Sequence, residues 1–479
     1  MGARPANVER VFPSLIQEAL VLFTRRLPST APPRQGFTRL TRRLAILCGT
    51  VTLVAGLAVS QAPAAMAADS LTPLGHVAVT SDIAAAAGKV FVALDDRIVV
   101  ADTQGVVTGN ITGLAEVRDL VTNPDGTRLY AALRGSHEVI EINTDDLAIL
   151  RRIGLGAYQC PSRLAMSGHR LWVSHGCPWN SSGGALGLDL SVPAPQPSVV
   201  PAGNLAQAPR IAAAGSTLVV ADFWDLRVYD LQDGVPALRG AIDAYDHGLS
   251  NGWGQIALTS DGATAITTPG AVNDFDAWDL TTLTKSRSYG KEEGTLGYGS
   301  PTISPDGKQV AVTRGTDDVE DAPLVLFDLN TGAAVETFDQ SLVAIYDLVF
   351  SGSDLFAVIE NTIDGTFHLW RMHGASLPPC KMTLTGPDTS GRFKKTTFTG
   401  RLTRPDGTNP GVQTVTVSRR PWGESNFEPL PDVTTNADGT FTFSNVPGVE
   451  TQWTYKAYYD NTADSRSCSA TKVVEVSGW

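Results

Sequence analysis

From about residue 80 the chain alternates short apolar bursts with glycine and aspartate at a nearly constant interval. Turn signals stand at Gly88, Asp125-Gly126, Gly168, Gly215, Asp261-Gly262, Asp306-Gly307 and Gly352, with successive glycines 38 to 47 residues apart. A short, partly apolar segment such as Asp119-Leu120-Val121 precedes each turn. A β-rich run follows it: Val90-Phe91-Val92, Leu129-Tyr130-Ala131, Leu171-Trp172-Val173, Leu218-Val219-Val220, a weaker Ala265-Ile266-Thr267, Val310-Ala311-Val312 and Leu355-Phe356-Ala357. A third run then closes on a polar residue, as in Val100-Ala101-Asp102, Glu141-Ile142-Asn143, Leu188-Asp189, Tyr229-Asp230, Trp278-Asp279 and Phe327-Asp328. Apolar runs bounded by Gly, Asn and Asp are the strand-and-hairpin signal, and a period of about 40–45 residues is that of propeller blades. The fold expected is all-β, a seven-bladed propeller over residues 70–376.

The seventh copy, Ile345 through Trp370, meets the linker Leu377-Pro378-Pro379 before a fourth strand. Residues 70–79 form an orphan segment ahead of the first blade, resembling the outer strand at Leu147–Gly154. The expectation is that this N-terminal strand completes the last blade and leaves no open sheet edge. The tail, residues 380–479, repeats the β pattern in its own register. Its strand candidates are Phe398–Leu402, Thr414–Ser418, Thr440–Phe443, Trp453–Tyr459 and Lys472–Val476, with turns at Pro405-Asp406-Gly407 and Ala437-Asp438-Gly439. About seven short strands in roughly 100 residues predicts a β-sandwich.

The first 67 residues read as export machinery. Arg39, Arg42 and Arg43 flank the apolar run Leu44–Val59, and Ala65-Met66-Ala67 offers a cleavage site. The apolar run is short for a spanning helix, so a cleaved signal peptide and a secreted, extracellular or surface-associated protein are expected, with no stable membrane insertion after cleavage. Residues 1–43 make a long basic leader, and a start codon further in fits it. Cys48, after Leu47 in the apolar run, reads as signal-peptide packing. Cleavage would remove eight Arg and two Glu and take the formal net charge from −12 to −18. The tail holds eleven Lys/Arg against ten Asp/Glu, so the excess acid lies on the propeller. Phosphate backbones need neutralising cations, which argues against nucleic acid and anionic membranes as partners.

Four cysteines would remain: Cys160, Cys177, Cys380 and Cys468. In an exported chain without metal-type spacing these predict two disulfides. Pairing within each domain gives Cys160–Cys177 and Cys380–Cys468, while the other two connectivities would tie the domains together. Cys160 and Cys177 are equidistant from the Gly168-His169 turn, which sets them opposite each other in an antiparallel hairpin.

With these residues in view, Pro-Asp-Gly followed by a Leu-Tyr or Val-Ala-Val strand and a strand ending in Asp resembles the YVTN-type propellers of secreted bacterial proteins. The literal Tyr-Val-Thr-Asn strand is absent, and Trp-Asp stands at Trp224-Asp225 and Trp278-Asp279 only. Thr399-Gly400-Arg401-Leu402, Asn436-Ala437-Asp438-Gly439-Thr440-Phe441 and Tyr455-Lys456-Ala457-Tyr458 resemble bacterial immunoglobulin-like repeats, which often follow propellers in exported actinobacterial proteins. The central Cys–Trp–Cys pattern of antibody domains is missing.

Aligning the inner strands places Asp82, Asp119, Arg163, Arg210, Gln255, Thr302 and Asp347 in equivalent positions at the channel. Two readings compete: wet strand starts whose alternating Asp and Arg satisfy one another, or a polar ligand pocket with Tyr298 and Tyr346 beside it. A second cluster holds His175, Cys177, Trp179 and Asn180, and a third holds Asp222, Phe223, Trp224 and Asp225. Trp179, Trp224 and Trp253 are candidate surface contacts for a protein or a sugar, against the alternative that they pack between blades.

No catalytic residue is assigned. HExxH and the phosphate loop are absent, and no cofactor or metal is expected. Asp317, Asp318, Glu320 and Asp321 lack the spacing of a calcium loop and read as solvated. The function expected is a non-enzymatic binding scaffold using the channel face. The alternative is a propeller lyase or lactonase, for which His175, Asp119 and Asp347 would have to converge.

Overall fold

The computed structural model describes residues 69–478 apart from 76–79, 178–181, 204, 206, 233–234, 250–251, 270–274, 291–299, 314–323, 339–342, 425–426, 461 and 463–464. All of these belong to one compact unit, Ala62–Trp479. Trp179, Asn180, Tyr298, the acidic run at 317–321 and the expected signal peptide lie outside the described residues.

Seven four-stranded antiparallel sheets follow one another. Their inner strands are Thr80–Ala86, Val117–Thr122, Pro161–Ser167, Arg210–Ala214, Trp253–Leu258, Pro301–Ile303 and Val343–Ser351. The repeated turn residues act through local hydrogen bonds. In the first hairpins Asp125, Asp261 and Asp306 accept the N–H two residues ahead, at 2.9, 3.0 and 3.1 Å. Gly126, Gly262 and Gly307 follow at φ 72°, 70° and 68°, a conformation that favours glycine. The aspartates ending the third strands do the same work one hairpin later. Asp102 accepts from Gln104 and Val106, Asp279 from Thr281 and Thr282, and Asp328 from Asn330 and Thr331. These are Asx turns, a local reason for the sequence repeat.

Packing repeats with the turns. The described residues contain seven buried clusters in the propeller, each shared by two adjacent blades. A four-stranded sheet buries both faces only by standing between two others, and the middle strands are therefore apolar on both faces, as in Leu355–Ala357. Ser70–Gly75 pairs antiparallel with Thr366–Met372, the third strand of the last blade, with Ser70 opposite Arg371. Its end is pinned: the His373 N–H donates to Asp69 Oδ1 at 2.9 Å, and buried Asp354 accepts from Arg371, His373 and the Gly374 N–H, each at 2.8 Å.

Residues 381–477 form a three-stranded sheet and a five-stranded sheet, consistent with an immunoglobulin-like sandwich. Phe398, Phe441, Phe443, Trp453 and Tyr455 fill the space between them. Arg466, 4% exposed, joins the sandwich to the propeller through Nη1 on the Ala375 carbonyl at 3.1 Å and Nη2 on Glu336 at 2.8 Å. Both within-domain disulfides are formed, with Cα atoms 5.1 Å apart for Cys160–Cys177 and 5.3 Å for Cys380–Cys468. In the chain-entropy picture, closing 88 residues rather than 17 gives about 4–5 against about 3 kcal/mol.

Candidate functional site

The seven equivalent channel residues are not equivalent in the folded chain, because a β-bulge distinguishes some inner strands. The ladder slips between Thr80 and Asp82, Val117 and Asp119, Pro161 and Arg163, Trp253 and Ile256, and Ile345 and Asp347. The strands beginning at Arg210 and Pro301 pair without a slip. A bulge adds one unpaired residue, bends the strand and re-aims the next side chain.

The consequence is visible at the channel. Asp82, Asp119, Arg163, Gln255 and Asp347, the residues at a bulge, line a common cavity of about 170 Å³. In the two unslipped blades the wall is made by Ile211 and Pro301 instead, beside Arg210 and Thr302. The residues immediately before the slipped positions are Ser81, Arg118, Ser162, Gly254 and Tyr346, whereas Pro209 and Pro301 precede the unslipped ones. Proline, with no N–H and a fixed φ, is tolerated at the start of a strand, which is where Pro209 and Pro301 stand.

Two carboxylates at the ring staple one blade to the next. Asp82 Oδ2 accepts the Leu120 N–H at 2.5 Å, and Asp119 Oδ2 accepts the Leu164 N–H at 2.6 Å. Asp119 Oδ1 also accepts from Arg163 Nη1 at 3.0 Å. At the junction of blades seven and one, a carboxyl meets a carboxyl: Asp82 and Asp347 both line the cavity, and contact with Asp347 favours the protonated form of Asp82. Asp347 Oδ1 accepts its own neighbour's N–H, from Leu348, at 2.8 Å.

Burial, then the charge of Asp119, then the contact with Asp347 push the Asp82 carboxyl well above the usual carboxylate range. Burial pushes Asp119 up to about 6, with Arg163 pulling against it. Burial and the repulsion of Arg163 lower Arg210 to about 10, and Asp119 offsets only part of this. Arg210 has no ion-pair or hydrogen-bond partner among the described residues. The ring is therefore not an alternating, self-neutralising one.

His175 does not join Asp119 and Asp347. It packs edge-on against Tyr158 with ring centroids 5.1 Å apart and is absent from the cavity wall. Among the described residues no group of three or more His, Cys, Asp and Glu side chains is arranged to hold a metal. The aromatic candidates divide. Trp224 is 62% exposed and meets Phe223 edge-on at 4.8 Å. Trp253 is 6% exposed and packs on Trp278, ring centroids 5.2 Å apart, which corrects its reading as a surface contact. It sits on the near side of a bulge, and a one-residue slip exchanges the faces of a strand. The bulge also moves the cysteine end of blade three's hairpin. Pairs from Ser167–Arg170 to Arg163–Ser174 keep the register centred on the turn, while Pro161 faces His175.

No protein-family model and no curated protein matches the sequence. Solved structures do. The β-propeller domain of Cps50 (Swd1) from Myceliophteria thermophila is similar at 12% identity and a TM-score of 0.50, over 63% of this chain and 99% of that one. Hydrazine synthase from Kuenenia stuttgartiensis is similar at 16% identity and 0.47, over 62% and 96%. The extracellular domain of a putative hybrid two component system from B. thetaiotaomicron gives 10% and 0.47, over 85% of this chain and 59% of that one. What is shared is the fold. Among the described residues no helix is long and apolar enough to cross a membrane.

Proposed function

We propose that the chain is an exported, non-enzymatic binding scaffold whose propeller takes a small polar ligand at the channel mouth. The observation that carries this reading is the cavity walled by Asp82, Asp119, Arg163, Gln255 and Asp347. Charged groups converging on a concavity are the usual sign of a ligand site, and about 170 Å³ is below the size of drug-sized pockets, so the ligand is small. Residues 1–67 would direct export, and the sandwich would act as a spacer or adhesive module. The repeat register fits a YVTN-type propeller with a bacterial immunoglobulin-like module, of the kind found in exported actinobacterial proteins. Exposed Trp224 is a separate candidate contact for a protein or carbohydrate partner.

Ligands are to be sought by pull-down with the mature protein from culture supernatant and cell-wall fractions. Arg163→Ala combined with Arg210→Ala is expected to abolish capture of any small ligand bound at the channel. Capture that survives this double substitution unchanged places the ligand elsewhere and removes the channel reading.

A further inference from the structure

The order of charges around the ring carries more than the presence of a pocket. Blades seven, one and two present Asp347, Asp82 and Asp119. Blades three and four present Arg163 and Arg210, and blades five and six present the neutral Gln255 and Thr302. Charge is segregated into an acidic arc and a basic arc, and the arcs satisfy each other only where they touch, at Asp119 and Arg163. Each arc is left with an unmet end. On the basic side Arg210 lacks a partner among the described residues, and the buried Nε of Arg163 makes no hydrogen bond. On the acidic side Asp82 and Asp347 face each other, and two carboxylates in contact cannot both ionise without a cation between them. In a ring of seven, blade four lies opposite the junction of blades seven and one. The two unmet ends therefore belong to opposite sides of the ring, with Arg210 beside the wall residue Ile211.

We propose that the channel mouth binds a small zwitterion, its ammonium seated on the Asp82–Asp347 pair and its carboxylate drawn to Arg210 and the free edge of Arg163. This rests on the channel reading above and names its ligand class. A primary ammonium offers donors to both carboxyls and displaces the proton that burial favours on Asp82. A carboxylate supplies Arg210 with the counter-charge it lacks, and planar guanidinium groups suit it. A divalent metal fits less well: Asp119 is already held by Arg163 and by the Leu164 N–H, and no group of three ligating side chains is assembled among the described residues. The groups facing Asp82 are Asp119, Asp347, the Arg163 cation and the Leu120 N–H. Of these, Asp347 is the carboxyl in direct contact with Asp82. Seating an ammonium releases the Asp82 proton to the solvent, so the ligand exchanges one positive charge for another and the acidic arc's net charge is unchanged.

Titration calorimetry on the intact protein at pH 7 tests this with ω-amino acids from glycine to 6-aminohexanoate, and with the matching alkylamine and alkanoate as single-charge probes. At the best-fitting length the zwitterion is expected to bind about tenfold more tightly than either single-charge probe, a difference of about 1.4 kcal/mol. Its enthalpy should change with the ionisation heat of the buffer, as release of a proton requires. Arg210→Ala should reduce zwitterion affinity to that of the amine while leaving the amine's affinity unchanged, and Arg210→Lys should restore part of it. Amine binding that is lost in Asp82→Asn but shows no preference for the zwitterion would overturn the dipolar assignment and leave the channel site standing. So would a preference indifferent to Arg210→Ala. Saturable binding of none of the probes would remove the channel reading together with the proposal. The buffer dependence is read on the wild-type protein and so survives any variant that fails to fold.

Discussion

Blades three and four stand side by side, and each places an arginine at the channel, yet the two arginines live differently. Arg163 follows a bulge, lines the cavity and is paired with Asp119 at 3.0 Å. Arg210 follows a proline in a strand without a slip, leaves the wall to Ile211 and has no partner among the described residues. One is part of the joint between blades and the other is a cation held near it. A repeat equates the positions of residues but not their hydrogen bonds. The bulge makes the difference, and it is the property of one peptide unit.

The largest effect that would sharpen this contrast is expected from Asp119→Ala. It strands the Leu164 N–H and the Arg163 guanidinium together in a buried setting, and should cost about 3–5 kcal/mol in denaturant unfolding. Arg210→Ala removes a cation with no partner and should stay within about 1 kcal/mol of wild type in the same measurement. Comparable losses in both variants would break the distinction. Ser162→Pro is next. It should abolish the bulge of blade three at a cost of about 1–3 kcal/mol. After it, a double-mutant cycle between positions 119 and 163 should show no coupling.

The titration of the ring sets a smaller, signed effect. Asp119, at about 6, and Asp82, also raised well above the ordinary value, hold their protons in the folded chain to higher pH than they do unfolded. Their contribution to stability is therefore full below pH 3.8, the ordinary value, and is lost as pH rises through about 6. Turn carboxylates such as Asp261 and Asp328, lowered by hydrogen bonds from Thr259 and Thr331 respectively, act in the opposite sense and only below the ordinary carboxylate value. Thermal melts should thus fall between pH 4.5 and pH 7, each pH being about a unit from these limits. Asp119→Asn should flatten that fall, and an unchanged slope would dissociate the ring from it. The smallest effect is expected from Thr302→Val in the other unslipped blade, within about 0.5 kcal/mol.

The seven-fold repeat is legible in the sequence because its marks are local. Asp125-Gly126 and Asp328 each shape a turn within a few residues, so spacing alone reveals them. The equivalent channel positions follow from the same alignment. The slip that sorts them does not, since it is a matter of which N–H meets which carbonyl across a hairpin. Trp253 shows the same limit: its exposure depends on which side of a bulge it falls, and aromatic content says nothing of that. The Asp82–Asp347 contact joins residues of the first and last blades, and no local pattern reports on it.

The strand Ser70–Gly75 is the first described element of the chain, yet its partner is Thr366–Met372. A ribosome therefore delivers one edge of the closing seam some 300 residues, the separation of Asp69 and His373, before the other. Until then both edges are open, and contacts of such separation form slowly. A chain truncated anywhere before residue 366 keeps an unpaired first strand and an incomplete circle. Delivery of the strand Thr366–Met372 is in this way the condition for closing the ring, and a copy unfinished before it carries a sticky edge by which quality control can recognise it.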